Sequence, residues 1–229
     1  MKNLILALDC GLRRTNAAVL WVSGEFGESG EFGESGKILA SESLDIGRRQ
    51  AAELPLVVER VLTEAGQSFG ENGLVAVTNG PGYFTGLRVG VSYAMALAYG
   101  LGVGVVPVST LRMLACPRIE AGAPVLALVY AGRDRVYAAS FGRKDNDLPP
   151  GEYALPELES WLSDSLSSRV GQRMALMSDD PQKAAQSLQT SEICGIPILP
   201  SPPDASAVAR IAWRDWRACQ AQGHSATVD

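Results

Sequence analysis

Val77-Thr78-Asn79-Gly80-Pro81-Gly82-Tyr83-Phe84-Thr85-Gly86-Leu87-Arg88-Val89-Gly90-Val91 is the stretch on which the reading of this chain turns. An apolar run breaks at Asn79 into a turn holding Gly80, Gly82 and Gly86, and a long apolar segment follows. The pattern predicts a strand at Leu74–Thr78, a glycine-rich turn, and a helix of about Thr85–Leu101 with Thr85 as its N-cap. Glycine permits positive φ and close backbone approach. A helix N-terminus carries unpaired N–H groups and partial positive charge, so the turn is either an anion seat or a plain chain reversal. It is not a Walker A loop, which needs G-x-x-x-x-G-K-[ST]. Here Leu87 and Arg88 follow Gly86.

Upstream, Leu4–Leu8 reads as a buried strand, with further strands at Asn16–Val22 and Lys37–Ser43. Asp9 ends the first strand, ahead of Gly11 and Thr15. A carboxylate there either holds a magnesium-bound phosphate or caps its own turn. The hexapeptide Gly24-Glu25-Phe26-Gly27-Glu28-Ser29 recurs unchanged as Gly30 to Ser35. Two copies of six residues cannot stack as a solenoid, so a solvated loop insertion is expected. A helix at Arg49–Ala65 follows, with Pro55 kinking its first turn or moving its start toward Ala52. Downstream, a strand at Val103–Val106 is expected to end at Pro107. A hairpin is expected at Val125–Tyr130 and Val136–Phe141, then a loop at Lys144–Gly151. Beyond it the spacing predicts a helix at Leu155–Leu166, a strand at Ala175–Ser178, a helix at Pro181–Leu188 and a strand at Ile196–Leu199. A final helix runs from Asp204 to about Gln220. The order suggests an α/β fold with mixed sheets and packed helices in two lobes. The expected divisions are a first lobe at 1–108, a smaller second lobe at 109–203, a C-terminal helix at 204–222 and a tail at 223–229.

Composition narrows the function. The chain has 229 residues, 46% hydrophobic and 20% charged, in the ordinary globular range. A net charge of −5 argues against nucleic-acid binding through the overall field, though not through a local basic patch. No apolar run approaches the ~20 residues of a membrane span, and the start, Met1 to Asp9, reaches a charge too soon for a secretory leader. The four cysteines are far apart, so reduced thiols in a cytoplasmic protein are expected. The single histidine, His224, excludes zinc sites needing two or more histidines and leaves no Ser-His-Asp triad.

Gly86, Gly90, Ala94 and Ala98 recur every four positions along the long helix. Such rows form the ridges and grooves of helix packing. The stripe fits either the chain's own sheet or a partner. The rest of that helix is apolar too, and one sheet covers only one face. The expected partner interface is therefore Leu54, Val58 and Leu62 on the first helix with Gly86, Gly90, Ala94 and Ala98 on the second. On the last helix, Arg210, Arg214 and Arg217 share a face near Trp213 and Trp216, a pattern of nucleic-acid stacking or of a sealed lobe.

The segment quoted at the outset resembles the G-P-G-S-F-T-G-[LV]-R-[IV]-G motif of the TsaB (YeaZ) family. Leu6-Ala7-Leu8-Asp9, Pro107-Val108-Ser109-Thr110-Leu111, Val136-Tyr137 and Pro203-Asp204-Ala205 are similar in order and spacing. The resemblance implies an actin-like ATPase fold of two ribonuclease-H-like lobes. It also implies a non-catalytic scaffold of the complex that makes N6-threonylcarbamoyladenosine at adenosine 37 of tRNA. The implied partners are the catalytic TsaD subunit and the TsaE ATPase, with tRNA met through the complex, and a homodimer through the same helices is compatible with it. No cofactor is expected on the chain alone, with ATP or ADP and magnesium left open at the complex boundary. The older glycoprotease label finds no support in these residues.

The chain departs from the family pattern at Cys10, Tyr83 and Tyr130, and has no histidine near Arg48-Arg49-Gln50. The losses of hydroxyl and acidic groups weaken nucleotide binding at Asp9, Gly11, Gly80, Gly82 and Thr85, which reads as a vestigial phosphate site. The alternative is an actin-like ATPase or small-molecule kinase using Asp9 and the Gly80–Thr85 loop.

Overall fold

A computed structural model describes residues 4–22, 36–67, 69–70, 73–142, 147–167, 174–188 and 198–222. The repeat at 24–35, His224 and Cys194 lie outside them. The chain divides into two compact units, Met1–Thr110 with Pro203–Asp229, and Leu111–Pro202. The C-terminal helix thus belongs with the first unit.

The first unit holds β1 (Leu4–Asp9), β2 (Thr15–Val22), β3 (Gly36–Leu44), α1 (Gln50–Ala65), β4 (Gly73–Gly80), α2 (Phe84–Leu101) and β5 (Gly104–Ser109). The chain then passes through α3 (Thr110–Glu120). The sheet order is β3-β2-β1-β4-β5, with β1 antiparallel to β2 and parallel to β4. Every residue of β1 is buried, because helices cover both faces of the sheet. Successive side chains of a strand alternate faces. Leu4, Leu6 and Leu8 join Leu54, Val57, Val58 and Val61 of α1 and Ala94 and Ala98 of α2 in one core. The opposite face is packed by the C-terminal helix, which buries Ala205, Val208, Ala209, Ile211 and Ala212.

The second unit holds β6 (Val125–Gly132), β7 (Arg135–Phe141), β8 (Gly151–Ala154), α4 (Leu155–Ser167), β9 (Ala175–Ser178), α5 (Pro181–Ser187) and β10 (Ile198–Pro200). Its sheet runs β10-β9-β6-β7-β8. Read from β8, this is the order of the first sheet again. The directions also repeat: β6–β7 and β7–β8 are antiparallel, β6–β9 and β9–β10 parallel. One topology is built twice in one chain. The last helix, α6 (Ala205–Ala221), has Asp204 as its N-cap, accepting from Ser206 N at 2.8 Å.

Four local expectations change. Thr85 is exposed and caps nothing: α2 starts at Phe84 with Tyr83 as an N-cap that makes no side-chain bond. The Tyr83 N–H donates to Gly11 O at 2.6 Å and the Leu87 N–H to Tyr83 O at 3.0 Å, so backbone does the capping. Strand β5 runs through Pro107 to Ser109, because β5 is the sheet edge and a missing N–H is tolerated there. Helix α1 starts at Gln50, after a 3-10 turn at Gly47–Arg49, and carries Pro55 at an exposed position without stopping. The loop expected to reach Gly151 gives way there to β8, whose four residues are too few for a visible period.

Candidate functional site

The turn after β1 and the turn before α2 meet at one end of the first sheet. Asp9 is fully buried between them. Its Oδ1 accepts from Thr78 Oγ1 at 2.7 Å and from the Gly11 N–H at 3.2 Å. Its Oδ2 accepts from Asn16 Nδ2 at 3.0 Å. Asn16 Oδ1 in turn accepts from Ser43 Oγ at 2.5 Å, which carries the network across β2 to β3. Both carboxylate oxygens are thus committed to donors from three parts of the first unit. Asp9 ties the turn to β4, as a buried carboxylate must be satisfied somewhere. Of the two readings open from sequence, the geometry is that of the turn cap.

Why glycine stands in both turns follows from the contact between them. A Cβ on Gly82 would collide with the Gly11 carbonyl oxygen, and one on Gly86 with the Cys10 carbonyl oxygen. A Cβ on Gly11 would come within 2.7 Å of Leu87 Cδ2. Gly80 has φ +115°, a backbone that L side chains rarely adopt. Asp9, Gly11, Gly80 and Gly82 are therefore brought together as the sequence suggested, but chain backbone fills the space between them. Thr85 faces solvent and does not join them. This geometry suits a tie between turn and strand better than a magnesium–phosphate seat: both Asp9 oxygens already accept from the chain, and the Tyr83 N–H at the α2 start goes to the Gly11 carbonyl. Cys10 fits the same picture. Burial first, then the Asp9 charge, pushes its thiol up from 9.0 to about 12, so it stays protonated and inert.

The expected partner interface also receives a different placement. Leu54, Val58, Gly86, Gly90, Ala94 and Ala98 are all buried within the first unit, and Leu62 is half-buried against the same core. Their small size serves the chain's own sheet: Gly90 lies over Cys10 and Val77, where an added Cβ would come within 3.2 Å of Cys10 Cβ. The free surface of α2 is its other side. Phe84, Arg88, Ser92, Met95 and Tyr99 recur at helical spacing and are exposed, Met95 at 51% and Tyr99 at 92%. Leu56 of α1 is exposed as well. Between α1 and α2 lies a shallow hollow of about 450 Å³, lined by Ala51, Leu54, Thr85, Arg88, Ser92 and Tyr93 among others. Sequence could have found this outer stripe by taking the residues opposite the small ones.

In the second unit, Tyr130 lies near the end of β6 with Lys183 Nζ 4.2 Å from its ring centroid. Asp179, just past β9, was not singled out from sequence. Burial first, then neighbouring Asp180, raises its pKa. On α6, Trp213 and Trp216 stack on each other at 5.2 Å, and the Arg217 guanidinium sits 5.8 Å from the Trp213 ring. Those rings are already engaged with each other. Among the described residues no group of three His, Cys, Asp or Glu is placed to hold a metal, and no helix is long and apolar enough to cross a membrane.

Comparison with known proteins bears on this geometry. The family model described as TsaD, tRNA N6-adenosine threonylcarbamoyltransferase, matches residues 45–156. The tRNA threonylcarbamoyladenosine biosynthesis protein TsaB of Buchnera aphidicola subsp. Acyrthosiphon pisum is 30% identical over 131 residues, 56% of this chain and 59% of that protein. Its namesake in Escherichia coli K12 is 37% identical over 101 residues, 43% of each. The chain thus spans about half the length of these curated relatives. A solved structure described as YeaZ from Pseudomonas aeruginosa superposes with a TM-score of 0.68 over 98% of this chain and 96% of that one, at 23% identity.

The doubled sheet order and that superposition define an actin-like fold of two ribonuclease-H-like lobes. Within that class, the curated relatives that match over part of this chain carry the TsaB name.

Proposed function

We propose that this chain is the scaffold and activator subunit of the transferase that makes N6-threonylcarbamoyladenosine at position 37 of tRNA, pairing with a catalytic TsaD-type subunit and performing no chemistry itself. The observation that carries the reading is the outward apolar stripe of α2, Met95 and Tyr99, with Leu56 on α1. Large exposed apolar side chains side by side on one helix, as Met95 and Tyr99 are at i and i+4, mark an interaction site. Kinship supports the choice of partner. The tRNA N6-adenosine threonylcarbamoyltransferase of Chromobacterium violaceum is 41% identical over 85 residues, 34% of this chain and 24% of that protein. Related subunits can pair through equivalent faces about a pseudo-twofold axis, as identical ones do about a true one. The same face serves a homodimer when the partner is absent. A TsaE-type ATPase joins the pair, tRNA is handled by the assembly in the cytoplasm, and any ATP or ADP with magnesium sits at the boundary rather than at Asp9.

The rival is a phosphotransferase using Asp9 and the Gly80–Thr85 loop. Such chemistry needs carboxylates and donors aimed at a metal-bound phosphate. The bonding of Asp9 to Thr78, Asn16 and Gly11 speaks against it.

A tagged copy expressed from its own locus tests the reading. It is expected to recover a TsaD-type subunit, and its depletion to lower threonylcarbamoyladenosine in bulk tRNA. ATP hydrolysis by the isolated chain that vanishes in Asp9→Ala would overturn it in favour of the kinase-like reading.

A further inference from the structure

The Cys10–Gly11 turn gathers a ring of arginines and exposed aromatics that meets the N-terminal end of the outer α2 row and lies beyond Met95, Tyr99 and Leu56, the side chains that carry the scaffold reading. Arg13 and Arg14 lie on the turn itself. Arg13 Nε donates to Asp45 Oδ2 at 3.1 Å, just past the end of β3. Arg14 is held on the same strand end, its Nε to Ser43 Oγ at 2.7 Å and its Nη2 to the Ser43 carbonyl at 2.6 Å. Arg49 precedes α1, and Gln50 beside it donates to the Cys10 carbonyl at 3.3 Å. The α2 start closes the ring through the bond from Tyr83 N to Gly11 O. There Phe84 is 72% exposed, with the Arg88 guanidinium 5.1 Å from its ring centroid, and Tyr83 is 59% exposed.

Four arginines therefore surround one turn. Their acidic neighbours are Asp45, Glu53, which accepts from Arg49 at 3.0 Å, and Asp9 buried beneath. The two ion pairs are exposed on their arginine sides, and such pairs contribute little and are readily exchanged for another anion. Among the described residues Arg88 lies over the Phe84 ring. This end of the unit is locally basic in a chain whose net charge is −5. Guanidinium groups interleaved with exposed aromatic rings suit an unpaired nucleic-acid strand: the cations track phosphates, and the solvent-facing side of each ring stacks on splayed bases.

We propose that this end of the first unit binds single-stranded RNA directly, with Arg13, Arg14, Arg49 and Arg88 on the phosphodiester backbone and Tyr83 and Phe84 stacked on unpaired bases. The choice of RNA over other polyanions rests on the tRNA-modification reading above; the geometry supplies the site. It lies at the N-terminal end of α2, away from Met95 and Tyr99 along the same helix.

The test uses the full chain and two fluorescent probes, an RNA stem-loop with an unpaired loop and a blunt RNA duplex of the same length, titrated across a salt series. The stem-loop is expected to bind more tightly than the duplex. Replacing Arg13, Arg49 and Arg88 together by Gln should lower the log–log salt slope by about 2 and weaken stem-loop binding at least tenfold at moderate salt. Phe84→Ala should weaken the stem-loop by ~5-fold or more and leave the duplex unmoved. Met95→Glu should leave both unmoved. Circular dichroism checks that each variant is folded. Absence of salt-dependent stem-loop binding, or equal binding by the native chain, the arginine triple variant and Phe84→Ala, would overturn the proposal. So would a triple variant that keeps RNA binding and instead loses the TsaD-type subunit, which would make the patch a protein interface. A chain that binds the stem-loop through these residues yet never associates with that subunit would leave this site standing and remove the scaffold reading.

Discussion

Ala94 and Met95 are neighbours in sequence on opposite sides of α2, one at 0% exposure and the other at 51%. The row Gly86, Gly90, Ala94 and Ala98 is small because β1, β4 and the Cys10 turn lie against it. The row Phe84, Arg88, Ser92, Met95 and Tyr99 is large and mixed, and it stays exposed among the described residues. A stripe of small residues thus marks where backbones already touch, and the exposed face of the helix lies on its other side. This is the lesson of the helix: overall apolarity called for cover on both sides, and among the described residues the chain covers the side of the small-residue row.

The comparison is broken most forcefully from the inside. Ala94→Glu places an unpaired charge in the core it shares with Leu6 and Val77, at about 3–5 kcal/mol for the charge and ~1–3 kcal/mol more for overpacking. That rivals the ~5–15 kcal/mol by which domains are stable. The variant should be unfolded or nearly so in a urea titration, and a native-like midpoint would mean the stripe faces outward. Asp9→Ala comes next. It strands the Thr78 hydroxyl, the Asn16 amide and the Gly11 N–H, each at about 1–3 kcal/mol when left unpaired. A loss of about 3–5 kcal/mol by the same titration is expected, and a loss below ~1 kcal/mol would mean Asp9 is not the tie between the turn and β4.

Cys10 sharpens the same side through pH. Its folded-state pKa is raised, so the buried thiol stays protonated while the unfolded chain releases its proton near 9. The unfolded state then binds fewer protons, and stability falls as pH rises. The contribution is whole below pH 9 and lost between about 9 and 12, up to about 4 kcal/mol for three pKa steps. Comparing native chain with Cys10→Ala across that range isolates it; parallel curves would mean the thiol is not buried as described. The smallest stability effect is outside. Leu56→Ser on the exposed face of α1 should shift stability by no more than about 0.5 kcal/mol. A larger loss would mean that side chain is packed in the free chain.

Much of this was legible before any coordinates. Hydrophobic runs placed most elements within a residue or two because β1 and β4 are buried on both faces and α1 and α2 carry clear helical spacing. The misses each have a cause in tertiary context. Pro107 reads as a strand breaker unless it is known that β5 lies at the edge. Thr85 reads as a cap unless the Gly11 carbonyl is known to take the Tyr83 N–H first. Asp9 reads equally well as ligand or tie until Thr78, sixty-nine residues away, is seen to donate to it. The small-residue row announced a close contact correctly, but sequence alone could not say whose backbone filled it. Motif resemblance pointed to a family; which side of α2 is exposed had to come from burial.

The most direct test of the outer face is Met95→Glu, assayed for melting temperature and for affinity to a purified TsaD-type subunit. Met95 is half exposed, so the variant should melt within a few degrees of the native chain, as surface substitutions do. Its affinity should fall at least tenfold, as expected for a charge of about 1.4 kcal/mol or more against an apolar contact. A folded Met95→Glu chain that binds this subunit with unchanged affinity would contradict the account.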